Sequence, residues 1–394
     1  MTSLAPDQRS IVRTAWLTYA GYYLGRVNLS PAIPALVIAF SVTRAEIGVV
    51  ATALFWTYSV GQYLSGELGN RLNARKLVAI GLVISACCNL GMAFQTTVGG
   101  MVLLWGVNGV AQSVGWSPIL RVLADHLEVD QRRRVSAWFP MSYQVGIAVT
   151  WAITGFVVAL FGWQAAFVLP SLLLCGVLAM WWLSGVDALP AKRNTSQIAW
   201  RESLREARFL LPVTLASVCI GFASSGAVIW LPTYIKDTAL FPDALVGAFA
   251  GVLPLIGILG IFVASWLTRQ FEQITHSVML MLGMTVMVLV VATMLPVQPQ
   301  LIALTVAIIL ISGATGVTLS AIPMMTAWAG RTSSVAGTLS AANSLGGGLA
   351  GVVVGAIVQQ GGWSAVFGAW GVGLFIAMGL IYVYGRALAA APAS

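Results

Sequence analysis

Gly162-Trp163-Gln164-Ala165-Ala166-Phe167 returns two hundred residues later as Gly362-Trp363-Ser364-Ala365-Val366-Phe367. Each copy stands between two long apolar runs and opens the last helix of its half, and only Gly162 parts the first pair of runs, which makes a tight hairpin. Two more anchors keep nearly the same displacement. Asn70-Arg71 matches Thr268-Arg269 and Pro34 matches Pro232, both 198 residues apart. Three anchors in one order at nearly one offset are hard to obtain by chance, so the chain reads as a duplicated unit.

Outward from this motif, apolar runs occupy about 15–40, 47–69, 77–97, 99–124, 135–160, 163–184, 209–235, 244–267, 276–296, 300–328, 334–359 and 363–385. Each reaches the roughly 20 residues a helix needs to cross a bilayer core. Barrel strands would read as alternating ten-residue segments, and none is visible. The expected fold is therefore an all-α membrane protein of 12 transmembrane helices in two pseudo-symmetric six-helix bundles. Residues 1–186 form the first bundle, 187–208 a cytoplasmic linker and 209–394 the second bundle. The end of the linker, Ser196 to Arg208, suits an amphipathic helix on the inner surface.

Composition agrees. Hydrophobic residues make up 59% of the chain and charged residues only 8%, against roughly 25% charged in a soluble domain. The 41 glycines suit helices that pack closely in a membrane. Of the 20 Lys and Arg, seventeen, from Arg9 and Arg13 through Arg132-Arg133-Arg134 to Arg386, fall on segments that are inner if the N-terminus is inside. Arg44 and Lys236 fall on outer segments, and Arg26 lies within a span. Cytoplasmic loops attract Lys and Arg, so both termini are expected inside a bacterial inner membrane. The net charge of +8 then marks topology and lipid headgroups as partners, and excludes nucleic acid. Met1 to Thr14 is polar and the apolar run that follows continues to about Phe40, too long for a signal-peptide core. Cys87, Cys88, Cys175 and Cys219 lie in apolar runs as small hydrophobes. No cofactor or metal is expected, His126 and His276 forming no ligand set, and a monomer is expected.

Six plus six helices as parallel repeats is the architecture of major facilitator transporters, with substrate held near midplane between the repeats. Gly66-Glu67-Leu68-Gly69-Asn70-Arg71-Leu72-Asn73-Ala74-Arg75 resembles the facilitator signature between helices two and three, with Asn70 where the family has Asp. The resemblance implies gating roles for Glu67, Asn70, Arg71 and Arg75. Asp125 and Arg121, at the inner end of span four, are further gating candidates, with Arg132-Arg133-Arg134 chiefly a topology anchor.

Arg26 lies ten residues past Trp16, roughly 15 Å into the membrane at 1.5 Å per residue. A cation there costs at least about 2.5–3.5 kcal/mol unless a cavity or partner receives it. No Asp or Glu stands mid-span to pair with it. Two readings stay open: a guanidinium that receives an anionic solute, or one tied to carbonyls and tyrosines to hold helices together. Tyr22, Tyr23 and Ser30 share its helix face, with Tyr19 nearer the membrane surface. The run Tyr19-Ala20-Gly21-Tyr22-Tyr23-Leu24-Gly25-Arg26-Val27-Asn28 resembles the first helix of organophosphate:phosphate antiporters, whose Arg there binds substrate phosphate. Trp105-Gly106-Val107-Asn108-Gly109, Gly115-Trp116-Ser117-Pro118, Ser142-Tyr143-Gln144-Val145-Gly146 and Trp230-Leu231-Pro232-Thr233-Tyr234 are similar too. Where that family has a second Arg, a Lys and a His, this chain has Ser224, Gln62 and Tyr143. One guanidinium balances one charge, whereas a phosphate ester carries about −1.5 to −2.

The expected function is thus a secondary transporter moving a small organic anion, a monoanionic carboxylate, by alternating access. An organophosphate/phosphate exchanger, or a drug or metabolite efflux transporter, is the alternative. Substrate-binding candidates are Arg26, Tyr22, Tyr23, Tyr58, Gln62, Asn108, Gln112, Tyr143, Gln144, Ser224 and Asn343; each of the polar ones serves equally as interhelical glue. Gly346-Gly347-Gly348 reads as close packing or a hinge. No titratable group other than Arg26 stands mid-span, which favours exchange or facilitated diffusion, with proton symport open through Glu67 or Asp125. The spans hold no paired carboxylates and no nucleophile with a base, so no enzyme is expected. A membrane sensor on a transporter-like body is a further rival.

Overall fold

A computed structural model of the chain describes residues 5–71, 73–128, 131, 135, 139, 141–186, 200–238, 242–271, 273–322 and 332–389. They are helical almost throughout. In chain order come α1 (Pro6–Tyr22), a 3-10 turn (Tyr23–Gly25), α2 (Leu29–Phe40), α3 (Arg44–Arg71), α4 (Ala74–Met92), α5 (Val98–His126), α6 (Met141–Phe161) and α7 (Ala165–Leu183). Then follow α8 (Trp200–Asp237), α9 (Asp243–Gln270), α10 (Ile274–Met294), α11 (Val297–Gly316), a π-helical turn (Val317–Ala321) and α12 (Thr332–Ala389).

Ten helical stretches among the described residues are long and apolar enough to cross a membrane, counting Pro6–Phe40 as one and Gly337–Leu388 as one. The 28-residue α3 is not among them; its charge-free middle carries Gln62, Tyr58, Tyr63 and several hydroxyl and glycine residues. The outward faces are apolar, with Leu183 83% and Met294 80% exposed, as a surface solvated by lipid requires.

The first apolar run is not one helix. Arg26 N–H bonds the Tyr23 carbonyl at 3.1 Å in 3-10 fashion, and regular α-helix resumes only at Leu29. Pro31, in the first turn of α2, fits the restart, while Pro34 lies inside the new helix. A proline lacks the N–H that would continue the helix through it, but is tolerated in the first turn of a new one.

Gly162 (φ 83°) and Gly362 (φ 69°) share a positive φ, which costs a side-chain-bearing residue about 1–3 kcal/mol. The first turns the chain between α6 and α7; the second breaks α12 internally. The repeated motif therefore writes the same corner twice, and each copy buries its Phe, Phe167 or Phe367.

The chain forms two compact units. One is Met1–Ala191 with Val228–Leu255, the other Lys192–Ala227 with Ile256–Ser394. In the first, α3 and α4 pack on α5, α4 also on α7, and α1 on α5, α6 and α7. Its core includes Val12, Val78, Leu82, Ile119, Phe139 and Trp181. Residues 228–255 join it by backbone contact, Gly247 lying on Gly155 and Gly251 on Ala148. At the start of α3, Thr43 and Glu46 exchange bonds as a capping box, Thr43 N–H donating to Glu46 at 2.7 Å and Glu46 N–H to Thr43 Oγ1 at 3.2 Å. Arg44 clasps Asp237 at the end of α8 with two bonds, of 2.7 and 2.8 Å. In the second unit α10 packs on α11 and α12. There Gly346 lies against the Val218 carbonyl, a close packing that a Cβ would block.

Candidate functional site

Arg26 sits in the interruption between α1 and α2, and three rings surround it. Its guanidinium carbon lies 3.8 Å from the ring centre of Tyr58, 5.2 Å from Tyr23 and 5.9 Å from Phe55. A desolvated cation over an aromatic face gains about 2 kcal/mol, which offsets part of the cost of holding the charge away from water. Among the described residues no carboxylate pairs with Arg26.

Tyr58 and Tyr23 each extend the cluster. Gln62, one turn beyond Tyr58 on α3, donates from Nε2 to the Tyr58 hydroxyl at 2.7 Å. The Tyr23 ring lies 6.0 Å from that of Tyr143 on α6, whose hydroxyl accepts from Gln144 at 3.4 Å. Tyr23 and Tyr58 thus stand at the guanidinium, with Gln62 behind Tyr58 and Tyr143 and Gln144 behind Tyr23. Beside the guanidinium opens a cleft lined by Arg26, Ser30, Leu54, Phe55, Trp105 and Ile229, among others. It offers about 10 Å³, the room of about one water molecule, so a solute enters only if the lining parts.

Other candidates are otherwise engaged. Tyr22 is buried, and its hydroxyl donates to the Val78 carbonyl at 2.8 Å. Asn108 and Gln112 are buried on α5 and donate to backbone carbonyls, of Gly25 at 2.7 Å and of Tyr22 at 3.1 Å. Ser224 and Asn343 belong to the second unit, where Asn343 donates to the Ser217 carbonyl at 3.4 Å. Arg75 stacks on Trp182, 4.6 Å from guanidinium carbon to ring centre, and donates to the Trp182 carbonyl, while Trp181 donates back to the Arg75 carbonyl at 3.0 Å. This lashes the start of α4 to the end of α7. Asp125 is half-buried near the end of α5. The side chains of Glu67, Asn70, Arg71 and Arg121 lie outside the described residues, as do residues 132–134 and the linker up to 199. Sequence reasoning passed over Phe55, Ser85 and Asn89. The last two had a signal: polar residues one turn apart in an otherwise apolar run.

Residues 15–335 match the Major Facilitator Superfamily. The chain belongs to that superfamily. Its relatives include a probable hexose phosphate transport protein of Chlamydia trachomatis, 23% identical over 295 residues, which is 67% of this chain and 64% of that protein. The glycerol-3-phosphate transporter of Bacillus subtilis is 25% identical over 70% of this chain and 68% of its own length. The membrane sensor protein UhpC of Salmonella typhimurium is 31% identical, over 43% of this chain and 38% of its own. The aligned stretch thus spans a little under two thirds of the Chlamydia protein. The same fold occurs in a bacterial homolog of the human lysosomal transporter Spinster, at a TM-score of 0.78 over 99% of this chain and 100% of that one, with 14% identity.

Proposed function

We propose that this facilitator is a secondary transporter of a small organic anion of the organophosphate class, bound at Arg26 and moved by alternating access. The observation that carries the reading is a guanidinium deep in the apolar layer, ringed by Tyr23, Phe55 and Tyr58 and with no carboxylate beside it among the described residues. A membrane protein keeps such a charge only where it has a use or a partner. The relatives named for hexose phosphate and glycerol 3-phosphate supply the class of cargo. Tyr23, Tyr58, Gln62, Tyr143 and Gln144 are the proposed neighbours of the cargo in the first unit, and Ser224 and Asn343 its proposed contacts from the second. Glu67, Asn70, Arg71, Arg75, Arg121 and Asp125 are the proposed gating groups.

Twelve spans in two bundles, 1–186 and 209–394 about a linker at 187–208, remain the proposed architecture. The ten apolar stretches become twelve once α3 is counted and α12 is divided at Gly362. A monomer in a bacterial inner membrane, with both termini inside, completes the proposal, on the Lys and Arg distribution.

A monoanionic carboxylate is the second reading. One observation favours it: neutral Gln62, Tyr143 and Ser224 stand where the resembled family carries basic groups, leaving one cation for a cargo of about two charges.

Thermal unfolding of the purified chain against inorganic phosphate, glycerol 3-phosphate, glucose 6-phosphate and lactate separates these readings. A ligand at a hundred times its Kd stabilises by about 2.7 kcal/mol. The phosphate esters are expected to raise the melting temperature of the unaltered chain and to leave Arg26→Ala unmoved. Lactate acting alone would install the carboxylate reading. Equal shifts in both proteins would remove Arg26 from the site, and transport of cations in liposomes would establish an efflux role instead.

A further inference from the structure

The break at Arg26 interrupts the α-helical bonding of the backbone. Because Arg26 N–H turns to Tyr23, the Tyr22 carbonyl loses its α-helical donor. That carbonyl also accepts from Gln112 at 3.1 Å. The Gly25 carbonyl takes two donors, Asn108 at 2.7 Å and Asn89 at 3.1 Å. Three residues further, Asn28 reaches out from the chain and donates to Asn89 Oδ1 and to the Ala166 carbonyl, both at 2.8 Å. Ser85 sits among them, donating to Asn108 Oδ1 at 2.7 Å and accepting from Gln112 Nε2 at 2.8 Å. One hydroxyl thereby fixes which end of both amides points at the backbone.

We infer that Ser85, Asn89, Asn108 and Gln112 are positioning residues that hold the interruption of the first span and so aim Arg26, rather than groups that touch the cargo. This rests on Arg26 being the anion-binding group. Donor bookkeeping supports it. Asn28, Asn89 and Gln112 each spend Nδ2 or Nε2 on two acceptors. Few N–H groups are left for an anion. The ends without partners, Asn28 Oδ1 and Gln112 Oε1, are acceptors, which repel one. All five side chains, Asn28 included, are buried, and none of them lines the cleft beside Arg26 as Trp105 does. Irregular backbone survives at this depth only where side chains satisfy it, so loosening the amides frees the segment that carries the guanidinium.

The test compares Ser85→Ala, Asn108→Leu and Gln112→Leu with the unaltered chain in detergent. Hydrogen–deuterium exchange is read over residues 22–29, with α6 as internal reference. Exchange there is expected to rise about tenfold in the variants while α6 stays unchanged. Binding of inorganic phosphate and of glycerol 3-phosphate is read second. Asn108→Leu is expected to weaken it about tenfold, but less than about twofold when Arg26→Lys is already present, the non-additivity of groups acting through one another. Unchanged exchange over 22–29 overturns the inference. So does faster exchange with undiminished binding. An equal weakening in the Arg26→Lys background overturns it too, because it makes Asn108 a direct contact. If Asn108→Leu fails to fold, Ser85→Ala, which removes one hydroxyl, decides. Should the unaltered chain bind neither anion, the functional reading falls, and the exchange comparison alone decides whether the amides hold the break.

Discussion

At Arg26 the charge is held by a ring face rather than by a counter-ion. The separation of 3.8 Å from the Tyr58 centroid is well inside the range of a cation–π contact, and the same tyrosine accepts a bond from Gln62. The two roles separate by substitution. Tyr58→Phe keeps the face and loses the hydroxyl, whereas Tyr58→Leu loses both. We expect Tyr58→Phe to cost less than about 1 kcal/mol in urea or thermal unfolding and Tyr58→Leu about 2 kcal/mol. Equal losses would assign the stabilisation to the hydroxyl. Arg26 was legible in the sequence because a formal charge in an apolar run is improbable without a reason. Asn108 and Gln112 were legible as polar but not as to role. An amide at that depth serves a ligand or a carbonyl equally well, and only the coordinates show that Gly25 and Tyr22 claim these two. Ser85 and Asn89 went unread on the same ground.

Among elements, the first span shows what hydropathy cannot see. Residues 15–40 read as one run on hydropathy, yet the backbone leaves the α-helix from Tyr23 to Asn28. Apolar character records where a segment lies, not how its carbonyls are satisfied. The corners between helices were read correctly because glycine carries backbone information. Gly162 and Gly362 repeat in sequence and share positive φ. Replacing either by Ala forces a Cβ onto a positive-φ backbone, and Gly162→Ala and Gly362→Ala should each cost about 1–3 kcal/mol. Gly368→Ala, a helical glycine with no atom within 4 Å of a built Cβ, is the control and should be neutral or slightly stabilising. A melting-temperature series on the three variants checks this, and a drop as large for Gly368→Ala as for Gly362→Ala would refute it.

For the molecule as a whole, an all-helical facilitator fold was readable from the run lengths, whereas the structure gives ten apolar stretches among the described residues against the twelve spans expected. The composition of the compact units was not readable, because Val228–Leu255 packs with the first unit through glycine contacts that no hydropathy profile encodes. The Arg44–Asp237 pair was equally invisible, joining residues 193 positions apart. It is partly exposed, at 29% and 22%, so its contribution to stability is at most about 1 kcal/mol. Its expected importance lies in the transport cycle. On the proposed function, Asp237→Arg should slow exchange of the anion that binds, assayed in proteoliposomes, several-fold with little change in melting temperature. The double reversal Arg44→Asp with Asp237→Arg should restore the rate, since opposite charges then face each other again. A double variant as slow as the single one would show that the pair has no part in the cycle. The narrow cleft beside Arg26 has a consequence of another kind. A continuous file of water through a carrier would short-circuit the ion gradients that power the cell. On the proposed function, a space for about one molecule beside a fixed positive charge that repels hydronium and sodium alike keeps this cleft itself from conducting.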